Sequence, residues 1–195
     1  MDSEAARDAQ GDGRGSARGW NVVVTAYREG GRWTLRALRR LGPAEPSGHY
    51  NVFLATADDP MALLASLEAR ASKEPVLIDS ISRIAPAQAC FDYEGDRDFE
   101  GQVLAIAAPW LERLGGKSFH VRLHRRGDGL ACATQDEEAR VGGLLLQELE
   151  KQGLSARIEF NDPDLVLSID AVDGRAGVAL WSRDDLCAHR FLRPD

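Results

Sequence analysis

Residues 117–127, KSFHVRLHRRG, combine an apolar alternation with a concentration of positive charge in one extended segment. With a period of two, Phe119, Val121 and Leu123 point to one side of a strand. The other side then carries His120, Arg122, His124 and Arg126. This pattern predicts a strand with one face in a core and the other available to an anion, although a plain solvated basic face would have the same pattern.

The residues after this strand predict a helix. Thr134 and Glu137 have the spacing of a capping box, in which each side chain satisfies a backbone donor at the helix start. Gly153 is placed to end the helix in the left-handed conformation. Gly142 and Gly143 within it each cost about 1 kcal/mol relative to Ala, which predicts close packing against a sheet. The apolar stripe consists of Val141, Leu144, Leu145 and Leu149.

Shorter alternations complete this half of the chain. Residues 156–160 and 165–171 predict two strands, and Asp173-Gly174 predicts a two-residue hairpin turn into a strand at 178–181. In order and spacing, the segments resemble the THUMP domain, an RNA-binding module of tRNA-modifying enzymes. The resemblance covers about residues 98–183, counting a leading helix. It rests on Phe119-x-Val121-Arg122, Arg125-Arg126-Gly127, Val141-Gly142 and Asn161-x-Pro163-Asp164.

Upstream, the chain alternates between strand and helix patterns. Strands are predicted at 20–27, 50–56 and 76–84, and helices along 33–41 and at 61–72, the latter with Asp59 as N-cap. The stretches WNVVVTAYREG, YNVFLATADDP and RIAP resemble the ferredoxin-like domain that precedes THUMP in tRNA-modification proteins, including the THUMP-only adaptors of tRNA cytidine acetylation. The fold class expected is α/β (α+β), with an N-terminal ferredoxin-like domain followed by a THUMP domain.

The predicted boundaries follow from these patterns. Residues 1–19 are rich in charge, Gly and Ser and predict a disordered tail. Residues 20–86 form the ferredoxin-like domain, 87–97 a linker, 98–183 the THUMP domain and 184–195 a C-terminal tail. No apolar run is long enough to span a bilayer, and the N-terminus lacks the apolar block of a signal peptide, so a cytoplasmic location without membrane partners is expected.

The formal net charge of -7 argues against nucleic-acid binding and must be weighed against its distribution. Charges more than roughly 8–10 Å apart are largely screened at physiological salt, so a phosphate responds to its local surroundings. Residues 113–126 contain five Lys and Arg side chains and no acid, and residues 28–40 contain five Arg side chains against one Glu. The sequence therefore has two basic islands in an acidic protein.

Motifs of catalysis and of metal binding are not found in the sequence. It has no P-loop, no G-x-G-x-x-G after a strand, no zinc-deaminase signature and no nucleophile elbow. Cys90, Cys132 and Cys187 are odd in number and never form a C-x-x-C pair, which favours reduced thiols. The acidic run at 92–100 lacks the ligand spacing of a calcium loop. The chain is therefore expected to be non-enzymatic, with no catalytic residue, cofactor or metal ion.

The resemblance implies a tRNA-binding adaptor that presents tRNA to a separate modifying enzyme, such as a cytidine acetyltransferase. Structured RNA, with tRNA foremost, and that enzyme are the expected partners, and DNA is not. The alternative is a protein–protein interaction module that has lost RNA binding, which the acidic net charge favours. The residues expected to contact RNA are Lys117, His120, Arg122, His124, Arg125, Arg126, Arg36, Arg39 and Arg40.

Overall fold

The computed structural model describes residues 19–193. The predicted N-terminal tail at 1–19 therefore lies outside the described residues except for Gly19. Two sheets with helices build the described part, which confirms the predicted α+β fold class. Within residues 19–193, none of the helices combines the length and apolar character that a membrane span requires.

The first sheet is antiparallel and has the order β2-β3-β1-β4. Its strands are β1 (Val22–Ala26), β2 (Ala44–Pro46), β3 (Val52–Ala55) and β4 (Ile81–Pro86). The helices of this half are α1 (Gly31–Leu38), α2 (Pro60–Ala71) and α3 (Pro75–Ile78). The predicted strand at 76–84 is wrong in its first half, because Pro75 opens a helical turn there.

The second sheet has the order β5-β9-β8-β6-β7. Its strands are β5 (Ala89–Asp92), β6 (Ser118–Arg126), β7 (Arg157–Ile158), β8 (Leu165–Val172) and β9 (Arg175–Ser182). The helices are α4 (Asp96–Ala107), α5 (Leu111–Leu114), α6 (Thr134–Lys151) and α7 (Arg183–Ala188). Strand β6 runs parallel to both β7 and β8, so the basic segment 117–127 forms an interior strand of the sheet.

The alternation along β6 is confirmed. Phe119, Val121 and Leu123 are buried in one apolar cluster with residues of α4 and α6, so the two helices cover this face of the sheet. A methyl group on Gly142 would lie 3.1 Å from the Ile158 side chain, which confirms the predicted close packing there. Gly143 has open space around the same position, so close packing does not explain that glycine.

Several helix and turn ends follow the local sequence. The Asp59 carboxylate accepts hydrogen bonds from the Met61 and Ala62 backbones at the start of α2, as predicted. Gly153 has φ +70° after α6, and Asp173 and Gly174 both have positive φ in the β8–β9 turn. The predicted capping box of α6 is wrong. Its N-cap is Ala133, without a side-chain cap, and the Glu137 carboxylate accepts instead from the Cys132 thiol.

The two sheets meet through a separate apolar cluster on the face of the first sheet opposite α1 and α2. Trp20, Val23 and Leu54 of the first half are buried there against Val172 of β8. Gly177 of β9 permits this approach, because a methyl group on it would lie 2.8 Å from the Ala87 side chain and 3.0 Å from the Trp20 ring. The two halves therefore share a buried contact.

Two segments predicted to lie outside the domains contribute to them. The predicted linker at 87–97 contains β5, which pairs with β9 at the sheet edge. The predicted C-terminal tail at 184–195 contains most of α7, and Phe191 and Leu192 are buried in the core of the first half. The Ile84 backbone also donates to the Phe191 carbonyl. The local sequence pattern does not mark either segment, because their apolar residues are few and pack against residues far away in sequence.

Candidate nucleic-acid interface

The polar face of β6 follows the predicted order but differs in exposure from one residue to the next. His120, Arg122, His124 and Arg126 lie on the side away from α4 and α6. In register, Val166, Ser168 and Asp170 of β8 lie opposite the first three of them. Because the first half of the chain packs over β8 and β9, the side chains of β6 are covered unequally.

Arg122 is half-buried and makes no hydrogen bond or ion pair with any described residue. Its Nε atom is buried without a hydrogen-bond partner. A guanidinium carries five donors, so an Arg without an internal partner retains its capacity to bind a phosphate or a carbonyl. Among the predicted contacts on β6, Arg122 best meets the requirements of an anion-binding residue.

His120 is buried, and both of its ring nitrogens have no hydrogen-bond partner among the described residues. Its ring makes an edge contact with Phe160, at 5.1 Å between centroids, and the Phe160 side chain is 71% exposed. Burial, with a smaller contribution from Arg122, lowers the pKa of His120. The imidazole is therefore neutral at physiological pH and contributes no charge to phosphate binding. It instead supports an exposed aromatic ring.

Arg126 is held between the two halves of the chain. Its Nη2 donates to the Thr25 hydroxyl of β1 at 3.2 Å, and its Nη1 lies 3.7 Å from the Asp170 carboxylate. Asp170 itself accepts two hydrogen bonds from Arg83 of β4, at 2.7 and 2.8 Å. Arg126, which the sequence predicted to contact RNA, is therefore mostly buried and held by partners within the chain. Arg126 thus helps to position the two sheets through Thr25, and His124 lies opposite Asp170 in register.

Arg125 points to the other side of the sheet. The strand continues through Arg126, so alternation places Arg125 on the side of Phe119, where its guanidinium donates to the Cys132 carbonyl. The RNA contact predicted for Arg125 required the strand to end before it, and because the strand continues, Arg125 stays on the side of the helices. Lys117 is exposed at the start of β6, as predicted.

The second predicted basic island lies away from β6. Arg36, Arg39 and Arg40 are exposed on or just after α1. Helix α1 packs on the face of the first sheet that carries Val22 and Val24, in a cluster that also includes Trp181 of β9. The opposite face packs against Val172 of β8, and Arg126 of β6 reaches it at Thr25. The first sheet therefore separates this island from Arg122, and the structure does not bring the two together.

One basic residue of the surface was missed in the sequence. Arg157 of β7 is exposed and pairs in register with Ser118, so it lies on the same face as Arg122. The strand rise places the two about 13 Å apart along β6. Only the short parallel pairing of β7 identifies Arg157, and no local pattern marks it. We name Lys117, Arg122, Arg157 and Phe160 the β6 surface.

The start of the β6 surface is fixed by the Asn161-x-Pro163-Asp164 segment. The Asp164 carboxylate accepts hydrogen bonds from the Ser118 backbone and hydroxyl, at 2.9 and 2.7 Å. The Ser118 hydroxyl accepts in turn from the Asp164 backbone at 3.0 Å. These bonds lower the pKa of Asp164, which is therefore ionised at neutral pH. The motif thus holds β8 in register with β6.

The chain is similar in sequence to proteins named tRNA sulfurtransferase. That of Serratia proteamaculans is 34% identical over 113 residues, which are 53% of this chain and 22% of the relative. That of Klebsiella pneumoniae is 29% identical over 140 residues, which are 66% of this chain and 27% of the relative. The chain thus spans about a quarter of the length of the curated relatives it matches. No protein-family model matches the chain.

Solved structures share the fold. TrmN from Thermus thermophilus has a TM-score of 0.56 and 17% identity, over 82% of this chain and 44% of that protein. A 4-thiouridine synthetase, solved as an RNA complex with bound ATP, has a TM-score of 0.50 and 16% identity, over 82% of this chain and 40% of that protein. These likenesses and the sulfurtransferase relatives together support the coarser part of the resemblance, a THUMP-type module.

Proposed function

We propose that this chain is a non-catalytic tRNA-binding adaptor that presents tRNA to a separate modifying enzyme, for example a cytidine acetyltransferase. The observation that carries the proposal is the unpaired guanidinium of Arg122 on the same sheet face as exposed Arg157, with the exposed Phe160 ring against the neighbouring His120. Support comes from relatives named tRNA sulfurtransferase and from the shared fold with a synthetase solved with RNA.

The β6 surface suits RNA in two ways. Lys117 and Arg157 lie near the start of β6 and Arg122 about 13 Å further along it, so they offer cations to separate phosphates of one RNA strand. Phosphate contacts supply a large share of the affinity of nucleic-acid-binding proteins. Phe160 offers a ring for an unstacked base, since single-stranded RNA is recognised largely by stacking on aromatic side chains. The neutral His120 ring holds Phe160 from behind and adds no competing charge.

The net charge of -7 does not prevent this binding, because the cations of the β6 surface act over a short distance. Salt dependence is then the diagnostic property. Each cation removed from a bound phosphate should flatten the slope of log affinity against log salt by roughly 0.7–0.9.

The adaptor role rests on the sequence, which carries no recognised catalytic motif. The matched segments are only 22% and 27% of the sulfurtransferase relatives, so the catalytic activity of those proteins is not assigned to this chain. We therefore place the chemistry on a partner enzyme.

The first experiment measures binding of bulk tRNA at several salt concentrations, for the wild-type chain and for Arg122→Ala. Removal of one charge-assisted hydrogen bond to a phosphate should weaken binding about tenfold and flatten the salt slope by roughly 0.7–0.9. The matched control is Arg97→Ala, an exposed arginine of α4 on the opposite side of the sheet, which should bind as the wild type does. Equal affinity of both variants, with both folded, would contradict the assignment of the β6 surface.

A second experiment tests the adaptor role. Deletion of the gene should remove one modified nucleoside from tRNA, whereas the purified protein with tRNA and donor cofactors should produce none. Arg122→Ala should not restore the nucleoside, and Arg97→Ala should. An unchanged nucleoside profile, together with no salt-sensitive tRNA binding, would favour the alternative of a protein–protein interaction module. Turnover by the purified protein alone would show an enzyme.

A further inference from the structure

Three side chains that can bind a metal ion converge on the helix side of the second sheet, away from the β6 surface. They are Asp96 at the start of α4, Cys132 in the loop before α6, and Glu137 in the first turn of α6. One ligand atom of each lies within 4.8 Å of the other two. The sequence gives no sign of this cluster, because Asp96 belongs to a separate segment.

The carboxylate of Glu137 points into the cluster and is incompletely satisfied. The residue is 1% exposed, and its Oε2 accepts a hydrogen bond from the Cys132 thiol at 2.7 Å. Its Oε1 is buried and has no hydrogen-bond partner among the described residues. Buried carboxylate oxygens are normally paired, so this oxygen is left available to a ligand.

The local charge also favours a cation. Asp96 and Glu100 both repel the Glu137 carboxylate, and only Arg140 attracts it. The Arg140 guanidinium lies 3.6 Å from Glu100 and is half-exposed, so it is already shared with another acid. A divalent ion would compensate the negative charge at this position.

The ligand-bearing segments are held in place without the ion. The Asp96 carboxylate accepts from the Ala131 backbone at 2.7 Å, which ties the loop to the start of α4. The Arg125 guanidinium donates to the Cys132 carbonyl, which fixes that residue from the strand side. Two segments far apart in sequence, the start of α4 and the loop that leads into α6, are thus assembled around one point, as a metal site requires.

We propose that Asp96, Cys132 and Glu137 bind a zinc ion, with water as the fourth ligand. Zinc bonds of about 2.0–2.3 Å at tetrahedral angles require ligand atoms roughly 3.4–3.6 Å apart. The cluster, with one pair at 2.7 Å and all within 4.8 Å, reaches this geometry through small side-chain movements. The Cys132 thiol loses its proton to solvent as the zinc–sulfur bond forms. A thiolate ligand selects zinc over magnesium and calcium.

The test uses the full-length purified chain, stripped with a chelator and titrated with Zn²⁺ and Co²⁺. We expect one equivalent to bind, a thiolate-to-cobalt charge-transfer band with Co²⁺, and a higher unfolding temperature with Zn²⁺. Cys132→Ser and Asp96→Asn should each weaken zinc binding at least tenfold. Cys187→Ser, which removes an exposed thiol elsewhere, is the matched control and should leave binding unchanged.

Three results would overturn the proposal. The first is a wild-type chain that gives no thiolate band with Co²⁺ and no thermal shift with Zn²⁺. The second is a band that survives in folded Cys132→Ser or disappears in Cys187→Ser. The third is zinc affinity in folded Asp96→Asn equal to that of the wild type. The wild-type titration needs no variant, so it can refute the proposal even if a variant fails to fold.

Discussion

The ion pair between Arg83 and Asp170 offers the most direct test of how the two halves are joined. Arg83 lies on β4 and Asp170 on β8, and both side chains are almost fully buried. Two hydrogen bonds connect the guanidinium to the two carboxylate oxygens, and further bonds reach Ser168 and the Arg193 carbonyl. Arg83→Met removes the cation while keeping most of the side-chain volume. It leaves Asp170 beside Arg126, at 3.7 Å, and beside His124, which also lowers the pKa of Asp170.

The expected loss follows from the burial of the pair. Removal of one partner of a buried ion pair typically costs about 3–5 kcal/mol, because the other charge remains in a poorly solvated position. With a urea dependence of about 2 kcal/mol per molar, the unfolding midpoint should fall by roughly 1.5–2.5 M. The double variant Arg83→Met/Asp170→Leu should recover much of this loss, since no buried charge then remains.

The pH dependence gives a second, independent signature. Burial alone would raise the pKa of Asp170, but the charge and hydrogen bonds of Arg83 outweigh it and hold that pKa below the usual range. The pair therefore stabilises the wild type fully above the unfolded Asp pKa of about 3.9, and the contribution is lost as pH falls through the lower native value. Without Arg83, burial raises the pKa of Asp170. Acid then neutralises the unpaired Asp170 carboxylate in the variant. The difference in unfolding free energy between variant and wild type should therefore be smaller at acid pH.

The assay is urea unfolding followed by far-ultraviolet circular dichroism and by Trp fluorescence, at neutral and acid pH. Trp20 lies in the contact between the halves and reports on it directly. Arg70→Met is the matched control, because Arg70 pairs with Glu74 one helical turn away at a partly exposed site and should lose at most about 0.5 kcal/mol. The reasoning would be refuted if Arg83→Met lost no more unfolding free energy than Arg70→Met. It would also be refuted if the loss in Arg83→Met were as large at acid pH as at neutral pH.

Two further substitutions test the packing and the helix ends. Gly177→Val should destabilise the chain by about 1–3 kcal/mol in urea unfolding, because its side chain would collide with Ala87 and the Trp20 ring. Gly101→Ala in α4 meets open space and should be neutral or stabilising, and a comparable loss there would exclude collision as the cause. Asp59→Ala removes the α2 cap and should lower stability by about 1 kcal/mol, whereas Asp59→Asn should retain most of it.

Features that depend on neighbouring residues could be predicted from the sequence alone. The alternation of β6, the Asp59 cap, the left-handed Gly153 and the Asp173-Gly174 turn are properties of a few consecutive residues, and the structure contains all of them. Such features are set by backbone sterics, by short-range hydrogen bonds and by the division between apolar and polar faces. The fold class followed from their order along the chain.

Long-range packing determines which of the basic residues remain available for a ligand. Arg126 looked equivalent to Arg122 in the pattern, but its partners Thr25 and Asp170 come from other strands. Arg125 could join the basic face only if β6 ended before it, and the end of a strand depends on its neighbours in the sheet. These contacts join residues far apart in sequence, so no local pattern encodes them.

The same limit explains the other corrections. Phe191 and Leu192 look like part of a tail until the core of the first half is assembled around them. Glu137 has the spacing of a capping residue, yet the Cys132 thiol, brought close by the loop, is the donor it accepts from. Asp96 joins that pair only because α4 and α6 lie side by side on the second sheet. Local sequence allows several conformations and partners for each of these side chains. The free energy of packing the whole chain determines which of them the folded protein has.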